Sequence, residues 1–156
     1  MAERLRLTSD SEARTIEIGR ACGKLARRGD LFSLCGPLGA GKTRFVKGVA
    51  AGLGADPELV ASPTFVLARE YAGRETLFHC DAYRLRAERE LEELGLAEML
   101  ETGVVAVEWA DRFPEWTAPA AWNIGLAHAG GDQRSVEIRC LDERGAALAA
   151  LLGSGF

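Results

Sequence analysis

The segment that most constrains this chain is Gly36–Thr43, which reads Gly-Pro-Leu-Gly-Ala-Gly-Lys-Thr. It matches the phosphate-binding pattern G-x-x-x-x-G-K-[ST] at every fixed position. Glycine at these positions lets the backbone curl, so that successive N–H groups point at phosphate oxygens. In such loops the lysine, here Lys42, reaches the β- and γ-phosphates, and the hydroxyl at the position of Thr43 binds Mg²⁺. The segment therefore predicts a nucleotide site, whose loop backbone comes from Gly36, Gly39, Ala40 and Gly41.

The residues on either side have the periodicity that a phosphate-binding loop requires. The apolar run Leu31–Cys35 before the loop is typical of a buried strand. After the loop, apolar residues recur at helical spacing, at Phe45, Val46, Val49, Ala50 and Leu53. A glycine-rich turn that binds nothing is the alternative, and the order strand, loop, helix favours phosphate binding over it.

Composition indicates one soluble domain. The chain has 156 residues, of which 47% are hydrophobic, and we expect a single domain over residues 1–156. Its first residues lack the apolar stretch of a signal peptide, and no apolar run approaches the roughly 18 residues of a membrane span. Widely spaced cysteines argue against a disulfide framework and a zinc site; they are Cys22, Cys35, Cys80 and Cys140. We expect a cytoplasmic protein with no membrane contact.

Net charge and motif content limit the kinds of ligand that the chain is expected to bind. The formal net charge of −4 argues against strong independent binding to nucleic acid, because such proteins normally carry a basic surplus. A guanine-reading element of the type N/T-K-x-D is not present in the sequence, since the only asparagine is Asn123 and no lysine is followed by x-Asp. ATP is therefore the expected nucleotide.

Periodicity along the rest of the chain predicts an α/β domain with a mixed sheet. The predicted elements are an edge strand near Arg4–Leu7, a helix from the capping residues Ser9–Glu12 to about Arg28, a hairpin of Phe65–Tyr71 and Thr76–Cys80, one or two short helices between Ala87 and Leu100 interrupted at Gly95, a buried strand Val104–Val107, a loop with Pro114 and Pro119, strands near Trp122–Ala127 and Ser135–Leu141, and a closing helix Ala146–Leu152.

Two acidic residues follow predicted strands and are candidates to complete the site. Glu108 comes directly after the buried run Val104–Val107, where a carboxylate is well placed to hold Mg²⁺ together with Thr43. Asp81 follows the second strand of the hairpin and would orient or deprotonate the attacking water. For each acid, the alternative is a strand-end residue that caps the following turn.

Other candidates have two interpretations that the sequence leaves open. Thr64, in Ser62-Pro63-Thr64, is either a sensor of the γ-phosphate or metal, or part of an ordinary proline turn. His79 alternates with Asp81 and Tyr83, and a lone strand histidine is more often structural than catalytic. Trp109 would either stack on a base or fill the core, and composition favours the core.

Four motifs together resemble the TsaE family, also called YjeE, the bacterial ATPases required for threonylcarbamoyladenosine biosynthesis in tRNA. They occur in this order: Gly39-Ala40-Gly41-Lys42-Thr43, Ser62-Pro63-Thr64-Phe65, His79-x-Asp81-x-Tyr83-Arg84-Leu85 and Val107-Glu108-Trp109. The resemblance runs from the first helix to about Arg134. It implies a three-layer P-loop NTPase-like fold with a mainly parallel sheet, ATP and Mg²⁺ binding, and slow hydrolysis. It also implies TsaB and TsaD partners, with tRNA engaged only through that complex, at the adenosine next to the anticodon.

The resemblance also assigns roles to residues. It places the metal ligands at Thr43 and Glu108, and the acid for hydrolysis at Asp81. It further implies that Thr15 lies near the adenine, and that Trp109 and Arg134 lie near the nucleotide.

One position departs from the family pattern. The loop usually begins Gly-Asp-Leu-Gly, whereas this chain has Pro37 in place of the acid. That position supplies no fixed phosphate ligand in the general motif, so phosphate binding should survive.

Two other functions compete with an ATP-driven accessory factor. A small-molecule kinase is one alternative, for which the segment Arg84–Arg89 would supply lid arginines, although nothing marks an acceptor pocket. A module that binds ATP without hydrolysing it is the other.

Overall fold

Helices cover both faces of one seven-stranded sheet in the computed structural model, which describes residues 3–61, 68–83, 85–117 and 120–155. The elements in chain order are β1 (Glu3–Ser9), α1 (Glu12–Leu25), β2 (Leu31–Cys35), α2 (Lys42–Gly52), β3 (Ala68–Tyr71), β4 (Thr76–Asp81), α3 (Glu88–Glu93), α4 (Leu96–Thr102), β5 (Gly103–Glu108), α5 (Pro114–Thr117), β6 (Trp122–His128), β7 (Arg134–Cys140) and α6 (Arg144–Gly155). Single 3-10 turns lie at Pro57–Leu59 and Ala110–Arg112. No helix in these described ranges has the length and apolar character needed to cross a bilayer.

The strand order is β1-β7-β6-β2-β5-β4-β3. The neighbours β6, β2, β5 and β4 are parallel, whereas β7 is antiparallel to both β6 and β1, and β3 is antiparallel to β4. Because β1 reverses the direction of β7, it runs the same way as β6. Only β7 and β3 oppose the other strands, which confirms the expected mixed, mainly parallel sheet.

Strand β5 shows how the sheet separates two layers of core. All six of its residues are buried. Val104 and Ala106 pack into one apolar cluster with residues of α1, α2 and α6, while Val105 and Val107 pack into a second cluster with residues of α3 and α4. The alternation follows from the two-residue period of a strand. The three-layer α/β architecture expected from the sequence is therefore confirmed.

Helices α1 and α2 touch through their backbones. Each carries two glycines four residues apart, Gly19 and Gly23 on α1 and Gly48 and Gly52 on α2. A Cβ atom added at Gly48 would lie 2.1 Å from the carbonyl oxygen of Ile16. This close approach holds α1 firmly against the helix that follows the phosphate loop.

The predicted elements are found, with some different ends. The strand Leu31–Cys35 has the predicted bounds. The first helix begins after the cap Ser11 but stops at Leu25, short of Arg28, because Ala26 is already extended. The loop predicted around Pro114 is wrong there: a short helix begins at this proline, which the first position of a helix accepts.

The predicted hairpin is present in the described part of the chain, with β3 antiparallel to β4. Its first strand is seen from Ala68, and Phe65 to Leu67 lie outside the described residues. The helical stretch after it is interrupted at Gly95, as predicted, where φ is 88°. The closing helix is longer than predicted and spans Arg144–Gly155.

The four cysteines are free thiols, of which Cys35 alone is half-buried and the others are buried. Burial raises the pKa of the Cys80 thiol to about 12, so this side chain stays protonated and acts as a small apolar group.

Candidate functional site

The segment predicted to bind phosphate, called the phosphate loop below, connects β2 to α2 through glycines that no other residue can replace easily. Gly41 caps the N-terminus of α2 in the left-handed region, with φ 105°. Gly36 has φ 151°, and a Cβ there would lie 2.3 Å from the carbonyl oxygen of Leu126 in β6. The loop therefore turns tightly at the end of β2 and leads directly into the N-terminus of a helix, the arrangement that favours anions.

Lys42, the first residue of α2, turns back over the loop. Its residue surface is 5% exposed, and its Nζ donates to the carbonyl oxygens of Gly36 at 2.5 Å and Pro37 at 3.0 Å. The same Nζ lies 3.8 Å from the centre of the Trp109 ring. Burial lowers the pKa of the Lys42 amine, and the carboxylate of Glu108 acts in the opposite direction. The cation is thus held at the centre of the loop by acceptors and a π face.

Glu108 lies opposite Thr43, within hydrogen-bond distance. The Thr43 hydroxyl donates to Glu108, with Oγ1 lying 3.1 Å from Oε2 and 3.3 Å from Oε1. Glu108 is only 4% exposed, and its Oε2 also accepts from Nε2 of His79 at 2.5 Å. A buried carboxylate beside a hydroxyl offers the hard oxygen atoms that magnesium prefers, so these residues fit such an ion.

The sheet order explains why residues so distant in sequence meet. Strand β5 lies beside β2 in parallel, and Glu108 is in register with Leu34, two residues before the loop begins. Strand β4 flanks β5 on its other side and aligns Asp81 with Glu108. The carboxyl ends of all three strands therefore reach the same edge of the sheet, where ligands bind in open α/β sheets.

Asp81 has a local role in the structure as well as its place beside Glu108. One of its oxygens accepts from the backbone N–H of Tyr83 at 2.9 Å, which caps the turn after β4. His79 and Asp81 share one face of β4, whereas Tyr83 lies beyond the end of that strand. The capping interaction is the one expected from the structural alternative for this residue.

A cleft of about 990 Å³ opens above the loop. Among the residues chosen from the sequence, the following line it: Thr15, Gly39, Gly41, Lys42, Thr43, Glu108, Trp109 and Arg134. Gly36, Ala40 and Asp81 are not among the lining residues. Ala40 is a fully buried residue of the loop, and Thr64 lies outside the described residues.

The resemblance places Thr15, Trp109 and Arg134 near the nucleotide, and their side chains make different contacts. The Thr15 hydroxyl is already hydrogen-bonded to Ser9 Oγ at 2.7 Å, and Thr15 is 2% exposed. Arg134 donates to the carbonyl oxygen of Gln133 at 2.9 Å at the mouth of the cleft. Trp109 is half-buried, packs against the second apolar cluster and also lines the cleft, and its ring lies 5.0 Å from that of Tyr83.

Sequence reasoning missed two cations of α2 and the contact of His79. Arg44 and Lys47 both line the cleft, and Arg44 pairs with Glu12 at 3.3 Å. Lys47 follows Thr43 by four residues, a spacing that puts both on one side of a helix and was available as a signal. The His79 contact with Glu108 depends on strand order, for which the sequence offers no local signal.

Comparison of the chain with known proteins finds a matching protein family and several similar relatives. The family model "Threonylcarbamoyl adenosine biosynthesis protein TsaE" matches residues 9–136. The "tRNA threonylcarbamoyladenosine biosynthesis protein TsaE" of Treponema pallidum is 42% identical over 118 residues, which cover 72% of this chain and 87% of that one. The protein of the same name from Bacillus subtilis is 40% identical over 132 residues, covering 83% and 82%.

A solved structure shares the whole fold. The crystal structure of YdiB from Bacillus subtilis superimposes with a TM-score of 0.75 at 31% sequence identity. The match covers 99% of this chain and 97% of that one, so the sheet and both helical layers correspond.

Proposed function

The chain belongs to the TsaE family of tRNA threonylcarbamoyladenosine biosynthesis, and we propose that it serves this pathway as a Mg²⁺-dependent ATPase. One observation carries the proposal: Lys42, Thr43 and Glu108 converge in one cleft at the carboxyl ends of β2 and β5. A phosphate loop, a lysine and a carboxylate in this arrangement are what nucleotide hydrolysis requires.

The loop residues supply most of the binding and charge stabilisation. The first residues of α2, Lys42, Thr43 and Arg44, line the cleft. The N–H groups at a helix N-terminus favour phosphate oxygens. The Lys42 ammonium neutralises charge on the terminal phosphates as the bond to the leaving group breaks. Burial strengthens this interaction, because charges separated from water attract more strongly.

Thr43 and Glu108 would hold the magnesium ion, since their oxygen atoms already lie 3.1 Å and 3.3 Å apart. The ion, when bound, would supply positive charge to the β- and γ-phosphates. Asp81, aligned with Glu108 on the neighbouring strand, is the residue we assign to orienting the attacking water.

We further propose that turnover is slow for the chain alone and is stimulated by TsaB- and TsaD-type partner proteins in the cytoplasm. The net charge of −4 supports contact with tRNA through these partners rather than directly. ATP binding and hydrolysis would then change the affinity of the chain for the partner complex.

Release of ADP from Mg²⁺-ATP tests the proposal, with the chain alone and with purified TsaB- and TsaD-type proteins. We expect weak turnover alone, stimulation by the partners, and loss of turnover in Lys42→Ala with thermal unfolding unchanged. Lys24→Ala is the matched control, because Lys24 is exposed on α1 and should leave turnover intact. Unchanged hydrolysis in Lys42→Ala would overturn the assignment, and phosphate transfer to an added acceptor would identify a kinase instead.

A further inference from the structure

His79 is a completely buried histidine in the middle of β4 that contacts the carboxylate of Glu108. Its exposure is 0%, and its Nε2 lies 2.5 Å from Glu108 Oε2. A carboxylate only accepts, so Nε2 carries the hydrogen and donates it. The other ring nitrogen, Nδ1, is buried and has no hydrogen-bond partner among the residues that the structure describes.

This arrangement costs folding free energy. Leaving a buried polar atom unpaired costs about 1–3 kcal/mol. The next residue on the same face of β4 is the apolar Leu77, which carries no such cost. An apolar residue at position 79 would avoid the cost. A buried, half-satisfied histidine in a native core calls for a reason, and the reason here lies in what Nε2 holds.

The geometry around His79 directs it to Glu108. Residue 79 is in register with Ala106 on β5, and the small alanine side chain leaves room for the imidazole beside it. Glu108 is two residues further along β5 and therefore on the same face of the sheet. The imidazole thus reaches along the neighbouring strand to Oε2 of the carboxylate, and the Thr43 hydroxyl lies 3.1 Å from the same oxygen and 3.3 Å from Oε1.

We propose that His79 is a positioning residue for the magnesium site. Its Nε2–H holds Oε2 of Glu108 and so limits rotation of the carboxylate, which keeps the carboxylate beside the Thr43 hydroxyl so that both can bind a common ligand. This inference rests on the proposed function, because it requires that Thr43 and Glu108 bind the ion. Residues that orient metal ligands in this way typically contribute about 10- to 100-fold in metal affinity.

Nucleotide binding without turnover tests the role. Dissociation constants for ADP are measured by calorimetry in excess Mg²⁺ and in excess EDTA, and their ratio is the readout. The variants are His79→Gln, whose amide nitrogen falls near the position of Nε2, and His79→Asn, whose shorter side chain places the nitrogen near Nδ1. His79→Leu removes the donor and fills the volume. Thermal unfolding of each variant is recorded beside the binding.

We expect His79→Asn and His79→Leu to lose the Mg²⁺-dependent gain in affinity by about 10- to 100-fold, while the constants in EDTA stay unchanged. His79→Gln should restore most of the gain. If His79→Leu is too unstable to assay, the difference between the Gln and Asn variants in the Mg²⁺-dependent gain in affinity tests the positioning role.

Equal Mg²⁺ dependence in all variants would overturn the positioning role, and so would an equal loss of affinity with and without Mg²⁺. These outcomes differ from failure of the proposed function. In that case the unsubstituted chain would itself bind no nucleotide or show no response to Mg²⁺, and both proposals would fall together.

Discussion

The ammonium of Lys42 lies 3.8 Å from the centre of the Trp109 ring, which joins the phosphate loop to the residue directly after Glu108. Trp109 can present its ring there because its backbone is left-handed, with φ 61° and ψ 33°. Among the described residues it is the only one other than glycine with positive φ. A large side chain in this conformation is strained, and such strain tends to be retained at functional sites.

The strained backbone at Trp109 predicts that two substitutions at this position differ in their effect on the stability of the fold. Trp109→Asn and Trp109→Val both remove the ring and its contact with Lys42, but asparagine accepts the left-handed region and a β-branched residue does not. We expect the Asn variant to be more stable than the Val variant by about 1–2 kcal/mol. Urea unfolding of both variants measures the difference, and equal stability would show that the backbone relaxes.

The contact between Thr43 and Glu108 predicts that Mg²⁺-dependent nucleotide binding requires the hydroxyl group at position 43 and not the methyl group. Thr43→Ser keeps the oxygen that lies 3.1 Å from Glu108, whereas Thr43→Val keeps the shape and loses it. We expect Thr43→Val to weaken Mg²⁺-dependent ADP binding by at least about tenfold and Thr43→Ser to retain it. Equilibrium binding with Mg²⁺ and with EDTA distinguishes these results, and equal affinity of the two variants would remove Thr43 from the metal site.

Close packing of α1 on α2 predicts that Gly48→Ala is strongly destabilising. In an exposed helix this change normally stabilises by about 1 kcal/mol, but here the new Cβ would lie 2.1 Å from a backbone oxygen that cannot move freely. We expect a net loss of about 2 kcal/mol or more in the free energy of unfolding. The matched control is Gly153→Ala in α6, where nothing lies within 4 Å, and that variant should be unchanged or slightly more stable.

A buried ion pair anchors the C-terminal helix to the sheet. Arg144 donates to both oxygens of Asp30, at 2.5 Å and 2.9 Å, and Asp30 also accepts from Trp122. Arg144→Met should cost about 3–5 kcal/mol, because it leaves a buried carboxylate without its cation. Arg27→Met removes an exposed pair with Glu143 and should cost less than about 1 kcal/mol. Similar losses in the free energy of unfolding for Arg144→Met and Arg27→Met would contradict the expected difference between the buried and the exposed ion pair.

The same arginine predicts a loss of stability in acid. Hydrogen bonds from Arg144 hold the pKa of the Asp142 carboxyl well below its ordinary value of 3.8. The stabilisation is therefore fully present above that ordinary value and is lost as the pH falls below it, toward the depressed pKa of the folded state. Unfolding measured between about pH 7 and about pH 3 should show a shallower decline in Asp142→Asn than in the unsubstituted chain. Parallel curves would exclude Asp142 as a contributor.

The local sequence determined much of the fold and the centre of the site. The phosphate loop lies between the strand and helix that its flanking residues predict, because apolar periodicity and glycine positions act over neighbouring residues. The apolar run Val104–Val107 predicts Glu108 as a candidate ligand at the strand end, and in the structure Glu108 is the last residue of β5. Thr64 remains a prediction, since it lies outside the described residues.

Tertiary structure decided which distant residues meet. The contact of His79 with Glu108 exists because β4 lies beside β5, and that of Lys42 with Trp109 exists because β5 lies beside β2. The backbone contact of α1 with α2 likewise depends on how two amphipathic helices cross one face of the sheet. Periodicity indicates which face of an element is buried, but not which element covers it, and the partners of His79, Lys42 and Gly48 follow from that second choice.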